Sequence, residues 1–133
     1  FCMEKAIENA GLSPEEIDYI NTHGTSTGVG DPIETNAIAG LFGEHTKNMA
    51  VTSTKGATGH MMGAGGITEA ITCIQCIRTG VIPPTLNLEH LDEKCVQLNY
   101  VPNQAIEKEV NVAMSNSFGF GGQNASVVFK KYE

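Results

Sequence analysis

Positive charge is scarce in this chain. Eight lysines and arginines face fifteen aspartates and glutamates, for a formal net charge of −7, and the basic residues are scattered rather than clustered. A surface of that sign repels polyanions, which excludes a nucleic-acid or anionic-membrane footprint. Long apolar runs are also lacking, since no stretch approaches the roughly 18 to 20 residues that span a bilayer. The opening Phe1-Cys2-Met3-Glu4-Lys5 has no signal-peptide layout. A soluble, cytoplasmic protein is therefore predicted, without nucleic acid or membrane as partner. The sequence has no internal repeat and no low-complexity linker. Its 133 residues suit one domain, able to bury roughly two-thirds of its extended surface. It opens without methionine and inside a helical pattern, which reads as a piece of a longer protein.

No serine or cysteine stands in a recognisable nucleophile context. Of the four cysteines, Cys73 and Cys76 have CxxC spacing but no second pair. They lie in an apolar helical run, where cysteine behaves as a small buried hydrophobe rather than a zinc or redox ligand. The segment Ser53-Thr54-Lys55-Gly56-Ala57-Thr58 does not satisfy the phosphate-cradling GxxxxGK[ST] pattern. The glycines of Phe118 to Gly122 are followed by a strand pattern, not a helix, which excludes a dinucleotide fingerprint.

What is present is strand, helix, strand, helix. After a first helix with Ala6, Ile7 and Ala10 on one face and Gly11 as its stop, Ser13-Pro14-Glu15-Glu16 predicts a capping box and a short second helix. Asp18 to Thr22 predicts a strand that runs into His23. Asp31-Pro32-Ile33-Glu34 then caps a helix whose inner face is Ile33, Ala37, Ile38, Leu41 and Phe42. Met49 to Ser53 predicts the second strand. A loop with Lys55 follows, and His60 stands at the entrance of a helix over Met61 to Thr79. Short connections of this kind imply parallel strands and put both loops on one sheet edge, where α/β sheets bind ligands. Ile67, Ala70, Ile71, Cys73, Ile74 and Ile77 make the long helix apolar on nearly all sides, so it is expected to be buried. Val81 to Asn87 is a proline-stiffened connector. Further strands are expected near Val112 to Ser115 and Ala125 to Lys130, with another at Gln97 to Val101.

His23, Lys55 and His60 are thus delivered to one crevice. The positive end of a helix disfavours an imidazolium at His60, leaving a neutral ring able to donate a hydrogen bond to a carbonyl. His45 and His90, beside Glu44 and Glu89, read as surface residues. Glu69 sits inside the apolar helix and must be paired, protonated or bound to an ion. Asp31 and Glu34 are accounted for as caps. The two phenylalanines between glycines at Phe118 to Gly122 suit either an apolar latch on a hinge or a plain hairpin corner.

Three motifs in order resemble one family. They are Asn21-Thr22-His23-Gly24-Thr25-Ser26-Thr27 with Gly30-Asp31-Pro32-Ile33-Glu34, then Ser53-Thr54-Lys55-Gly56-Ala57-Thr58-Gly59-His60, and then Asn116-Ser117-Phe118-Gly119-Phe120-Gly121-Gly122. Together they resemble the C-terminal half of the β-ketoacyl-acyl-carrier-protein synthases, closest to the bacterial type II condensing enzymes, over nearly the whole chain. The resemblance implies an α/β thiolase-like fold, C-terminal half, with a mixed sheet and a buried central helix over residues 1–133. It implies a nucleophilic cysteine in an N-terminal half that is not in this chain. It also implies decarboxylation of malonyl-carrier protein and attack of the resulting carbanion on an acyl thioester, as in fatty-acid elongation.

On that resemblance His23 and His60 bind the malonyl thioester carbonyl, Lys55 is the site lysine and Glu34 is its ion-pair partner, with Asp31 a further supporting acid. Thr25 and Thr27 match threonines that touch the phosphopantetheine arm, which belongs to the carrier protein, so no cofactor of the chain's own is implied. Glu69 matches the buried acid that in some relatives helps hold a water or monovalent cation. Phe118 and Phe120 match a loop gating the acyl pocket, with Phe120 the gatekeeper. Acyl carrier protein, malonyl and acyl thioesters and a second copy in a homodimer are the implied partners. Gly28-Val29 and Gln123 depart from the commoner family residues, which bears on substrate detail and not on the reaction. A polyketide ketosynthase and a non-catalytic, chain-length-factor-like dimerisation partner remain open. Thiolases share the fold but lack the paired histidines.

Overall fold

The computed structural model describes residues 1–132. Helix α1, Cys2–Asn9, is followed by Gly11 at φ +67°, the left-handed turn expected of a glycine stop. The predicted capping box forms around a single 3₁₀ turn, Pro14–Glu16, with the Ser13 N–H donating to Glu16 Oε2 at 2.9 Å. Strand β1 (Tyr19–Asn21), helix α2 (Gly30–Phe42) and strand β2 (Ala50–Thr52) then give the expected strand–helix–strand unit. After them come a one-turn helix α3 (Lys55–Thr58), helix α4 (Gly65–Thr79), the two-residue strands β3 (Val81–Ile82) and β4 (Ile106–Glu107), and strands β5 (Val112–Phe118) and β6 (Asn124–Lys130).

The main sheet has the order β2-β1-β5-β6. β1 is parallel to both β2 and β5, and β5 closes an antiparallel hairpin with β6, so the sheet is mixed as anticipated. Both faces of its central strands are buried, and period-2 alternation sorts the side chains. Ile20, Val51, Val112 and Met114 pack against Met3 and Ile7 of α1 and Ile38 and Phe42 of α2. Tyr19, Ala50 and Ala113 pack on the other side against Cys73 and Cys76 of α4.

Three expectations shift. Gln97 to Val101 is not a strand: it runs beside β2 with one ladder-like bond, Val51 N–H to Asn99 O at 2.9 Å. Positive φ at Val101 (+49°) and Asn103 (+60°) then breaks the extended conformation. The helix predicted over Met61 to Thr79 begins regularly only at Gly65, because Met62 takes φ +52° and Met62–Ala64 forms a 3₁₀ turn. α4 also buries only one stripe, Gly65, Glu69, Cys73 and Cys76, whereas Ile67 and Ile71 on the opposite face are 63% and 51% exposed. The correction has a simple physical cause: the sheet covers one side of α4 and no element among the described residues covers the other.

Such an apolar stripe on a free surface promotes association. The chain on its own is expected to sediment as a dimer or larger at micromolar concentration, and Ile71→Asp to return it toward monomer. Burying one isoleucine contributes about 1.5–3 kcal/mol, enough to shift such an equilibrium tenfold or more. A wild-type chain that stays monomeric in sedimentation velocity contradicts the expectation.

Candidate active site

The parallel pairing of β1 and β2 brings the two motif-bearing loops out at the same sheet edge. Beyond the last pair, Thr22 N–H donates to Thr52 O at 2.9 Å and its hydroxyl to the same carbonyl at 3.2 Å. The chain turns at Gly24, φ +41°, where a Cβ would lie 2.5 Å from Thr22 Oγ1 and 2.6 Å from Ser53 Cβ. Only glycine fits there.

Glu34 holds the turn from below. Its Oε1 accepts the His23 N–H and its Oε2 the Gly24 N–H, both at 3.0 Å, and Asn116 Nδ2 donates to Oε1 at 3.2 Å. Ser126 Oγ donates in turn to Asn116 Oδ1 at 2.8 Å. Burial pushes the Glu34 carboxyl above the usual range, against the lowering pull of those two amides and Asn116. Glu34 is therefore neither a simple cap nor the partner of Lys55, because α2 directs it at the sheet, beneath the His23 loop.

The partner of Lys55 is Glu69. Lys55 Nζ meets Glu69 Oε1, with side chains 8% and 4% exposed, so the apolar helix's carboxylate is paired, one of the states that its burial requires. Lys55 opens α3 and Glu69 lies one turn into α4, so the pair ties the Lys55 turn to the long helix. His45 is also less exposed than expected: its Nε2 bonds to Ile17 O at 2.9 Å, and the residue is half-buried.

His60 lies between α3 and the 3₁₀ turn, and its own ring caps that turn: Nδ1 accepts the Met62 N–H at 3.1 Å. An accepting Nδ1 carries no proton, so the neutral ring holds its proton on Nε2 and is a donor there. The His23 ring stands edge to face with it, centroids 5.6 Å apart at 87°, and Phe118 contacts His23 at 5.7 Å. Burial, then the nearby Lys55 charge, then His60, lower the His23 pKa below its ordinary value. His23 Nδ1 is buried without a hydrogen-bond partner.

A cleft of about 370 Å³ opens beside the pair, lined by Thr25, Asp31, Lys55 and His60, with the connector from Thr85 to Leu88 as its far wall. Asp31 Oδ1 accepts the Ser26 N–H at 3.1 Å, and burial raises its pKa. Asp31 is thus not the cap: Thr27 Oγ1 takes the Gly30 N–H at 3.1 Å and lies 3.4 Å from Thr25 Oγ1. Phe118 borders His23, but Phe120 sits fully exposed in the turn between β5 and β6. That turn is a hairpin corner, closed by Gly119 N–H to Gln123 O at 2.7 Å, with Gly121 and Gly122 at φ +86° and +82°.

Sequence reading missed Asn116, Ser53 and the cleft wall. The polar run Ser115-Asn116-Ser117 at the end of an apolar strand was the available signal for the first; the other two depend on loops meeting in space. Chemically, the site offers two imidazoles and a neutralised lysine, suited to stabilising a developing oxyanion. Among the described residues it offers no activated nucleophile of its own. Cys73 and Cys76 face the core, where burial pushes their thiols up to about 12 and about 11, and the Cys73 thiol donates to Met114 O at 3.4 Å.

Comparison with known proteins agrees with this geometry. Residues 1–89 match the model of the β-ketoacyl synthase C-terminal domain. The chain is 49% identical over 130 residues to 3-oxoacyl-[acyl-carrier-protein] synthase 2 of Coxiella burnetii, covering 98% of this chain and 31% of that protein. It is also 49% identical over 128 residues to the synthase of the same name from Synechocystis sp., covering 96% and 30%. A β-ketoacyl synthase structure from Burkholderia phymatum superposes with a TM-score of 0.92 at 38% identity, covering 98% of this chain and 31% of that one. A type II polyketide ketosynthase, solved with its acyl-carrier protein and bound to the hexaketide, superposes at 0.94 and 32% identity, covering 99% and 32%. The chain spans about a third of the length of the curated relatives it matches. With the mixed sheet, the histidine pair and these likenesses in agreement, the chain belongs to the β-ketoacyl synthase family, in its C-terminal domain.

Proposed function

We propose that the protein carrying this chain elongates fatty-acyl chains by decarboxylative Claisen condensation of an acyl-enzyme with malonyl-acyl-carrier protein. The observation that carries the reading is the edge-to-face pair of His23 and His60, with the His60 proton fixed on Nε2 by the Met62 amide. As the carbon–carboxylate bond breaks, its electron pair moves into the thioester carbonyl, and the oxygen that gains charge lies against such donors. The resulting carbanion attacks the acyl thioester carbonyl and expels the thiolate. That thiolate comes from outside this chain, so the chain alone does not condense. Domain extent, by the same reading, is 1–133, since β5 and β6 share the sheet with β1.

Acyl carrier protein as partner is supported by the relatives' names and by the ketosynthase solved with its carrier protein. Thr25, on the cleft, is better placed for a phosphopantetheine arm than Thr27, whose oxygen is engaged by Gly30. A cytoplasmic homodimer is part of the proposal; no helix among the described residues is long and apolar enough to cross a membrane. A monovalent cation near Glu69 fits in part. Glu69 Oε1 is held by Lys55, which leaves only its other carboxylate oxygen for a hard cation.

The test is a chimera in which this chain replaces the corresponding third of the Coxiella relative. It should release carbon dioxide from malonyl-acyl-carrier protein and elongate a saturated acyl chain. A folded chimera that binds carrier protein without either activity would instead support a non-catalytic partner role. The polyketide reading is favoured by the superposition on polyketide ketosynthases, and repeated extension without intervening reduction would select it. In the same chimera Phe120→Ala should alter the ratio of long-chain to short-chain acylation several-fold, because the glycines of the hairpin turn lower the cost of moving its exposed ring. Equal ratios in both proteins count against gating.

A further inference from the structure

We propose that the Ser53 hydroxyl is a positioning group that locks the His23 loop onto the Lys55–His60 segment and thereby sets how the two imidazoles meet one substrate oxygen. The inference rests on the reading of the histidine pair given above. Among the described residues the two histidine loops share no backbone–backbone hydrogen bond beyond the Thr22 to Thr52 contact, so something else must fix their separation.

Gly24 is where that fixing occurs. Its N–H is taken by Glu34, which belongs to α2 and steadies only the first loop. Its C=O accepts the Ser53 hydroxyl at 2.7 Å, and Ser53 lies on the second loop. The same Oγ accepts the Lys55 N–H at 3.4 Å, at the first residue of α3, while the Ser53 N–H donates to Thr85 Oγ1 at 3.2 Å. One residue therefore joins the His23 loop, the Lys55 turn and the wall of the cleft. The absence of a Cβ at Gly24 lets its backbone lie directly on Ser53. A parallel constraint acts at Gly56, whose own missing Cβ would meet Leu86 O at 2.9 Å, so the Lys55 turn is also seated on that wall.

Loss of the hydroxyl leaves Gly24 O at a half-buried position where water can reach it, so the fold should survive while the register between the loops loosens. Misplacement of about 1 Å at a reacting centre can cost on the order of 10²-fold in rate. The charged and titratable groups around His23 are Lys55, His60 and the Glu34 carboxylate under its amide. If the loop drifts from Lys55 and His60, the lowering influence of both on His23 diminishes.

The test pairs kinetics of the chimera with histidine NMR titration of the full chain. In Ser53→Ala, kcat for malonyl decarboxylation should fall 10- to 100-fold, an order-of-magnitude expectation for lost alignment. KM should stay within about twofold, and the His23 titration should move up toward the ordinary histidine range. Ser53→Thr, which keeps the hydroxyl, should recover both. A folded Ser53→Ala protein with wild-type kcat and an unmoved His23 titration overturns the proposal, as does Ser53→Thr behaving like the alanine variant. An inactive wild-type chimera would count against the condensing reading alone. The titration would then still decide whether Ser53 sets the His23 position.

Discussion

Replacing either active-site histidine with alanine, in the chimera described above, should reduce malonyl decarboxylation by at least about 10²-fold, the cost expected when one preorganised donor to a developing oxyanion is lost. Transfer of the acyl group to the nucleophile should change little, because that half-reaction does not generate the malonyl enolate. The expectation follows from geometry: the two rings touch edge to face, centroids 5.6 Å apart at 87°, so both can present donors to one atom lying beside them. If they serve the same oxygen, the double variant should be little worse than either single one, since groups acting as a unit are not additive. Near-normal decarboxylation in His23→Ala or His60→Ala would remove that histidine from the assignment.

His60→Asn offers a finer comparison. The asparagine Oδ1 can accept the Met62 N–H as the imidazole Nδ1 does, leaving its amide as a weaker donor. It should keep the local turn and more activity than His60→Ala. For His23 the pH dependence has a definite sign. Its pKa is lowered, chiefly by burial, so the neutral ring prevails at pH 7 and protonation is confined to the acidic side of the ordinary histidine range. Decarboxylation should therefore hold near neutrality and decline only below that range.

Much of this site was legible in the sequence because its parts are local. A strand pattern running into His23, a second running toward Lys55 and a short helical connection are enough to place both loops on one sheet edge, and β1 and β2 are indeed parallel neighbours. The position of His60 at the start of a helical turn also follows from local pattern, although that turn is a 3₁₀ turn whose Met62 N–H donates to the His60 Nδ1. What could not be read was which acid meets which base. Glu34 and Glu69 are both buried carboxylates on helices, and the choice between them as the partner of Lys55 depends on how α2 and α4 lie on opposite faces of the sheet. Periodicity gives a helix's inner face but not which loop that face touches.

The same limit explains α4. Its composition reads as buried on every side, but the few strands of this chain can cover only one of them. The stripe of Ile67, Ile71 and Ile74 remains open here, while Gly65, Glu69, Cys73 and Cys76 find the sheet. Asn116 carries a related lesson. A polar residue fully buried in the strand Val112–Phe118 is costly unless satisfied, and its amide bridges Glu34 and Ser126. A polar run closing an apolar strand is therefore a sequence-level sign of a buried network, though not of its partners.

Breaking the Lys55–Glu69 pair from one side should be the most damaging change to stability in the site. Lys55→Met leaves the Glu69 carboxylate in a helix stripe packed on the sheet, and Glu69→Leu leaves the Lys55 ammonium equally stranded, with side chains that are 8% and 4% exposed in the intact pair. Removing one member of a buried ion pair typically costs about 3–5 kcal/mol, whereas replacing both with apolar groups of similar volume is often neutral. Urea unfolding at fixed protein concentration should therefore show each single variant with a much lower midpoint and Lys55→Met/Glu69→Leu close to wild type. Concentration must be held constant because association through α4 would contribute to apparent stability. The double variant also separates the pair's two roles: with the cation gone, the His23 titration should rise, since Lys55 is one of the groups that lowers it. Single variants as stable as the double would show that water reaches the pair and that it does not anchor the Lys55 turn to the long helix.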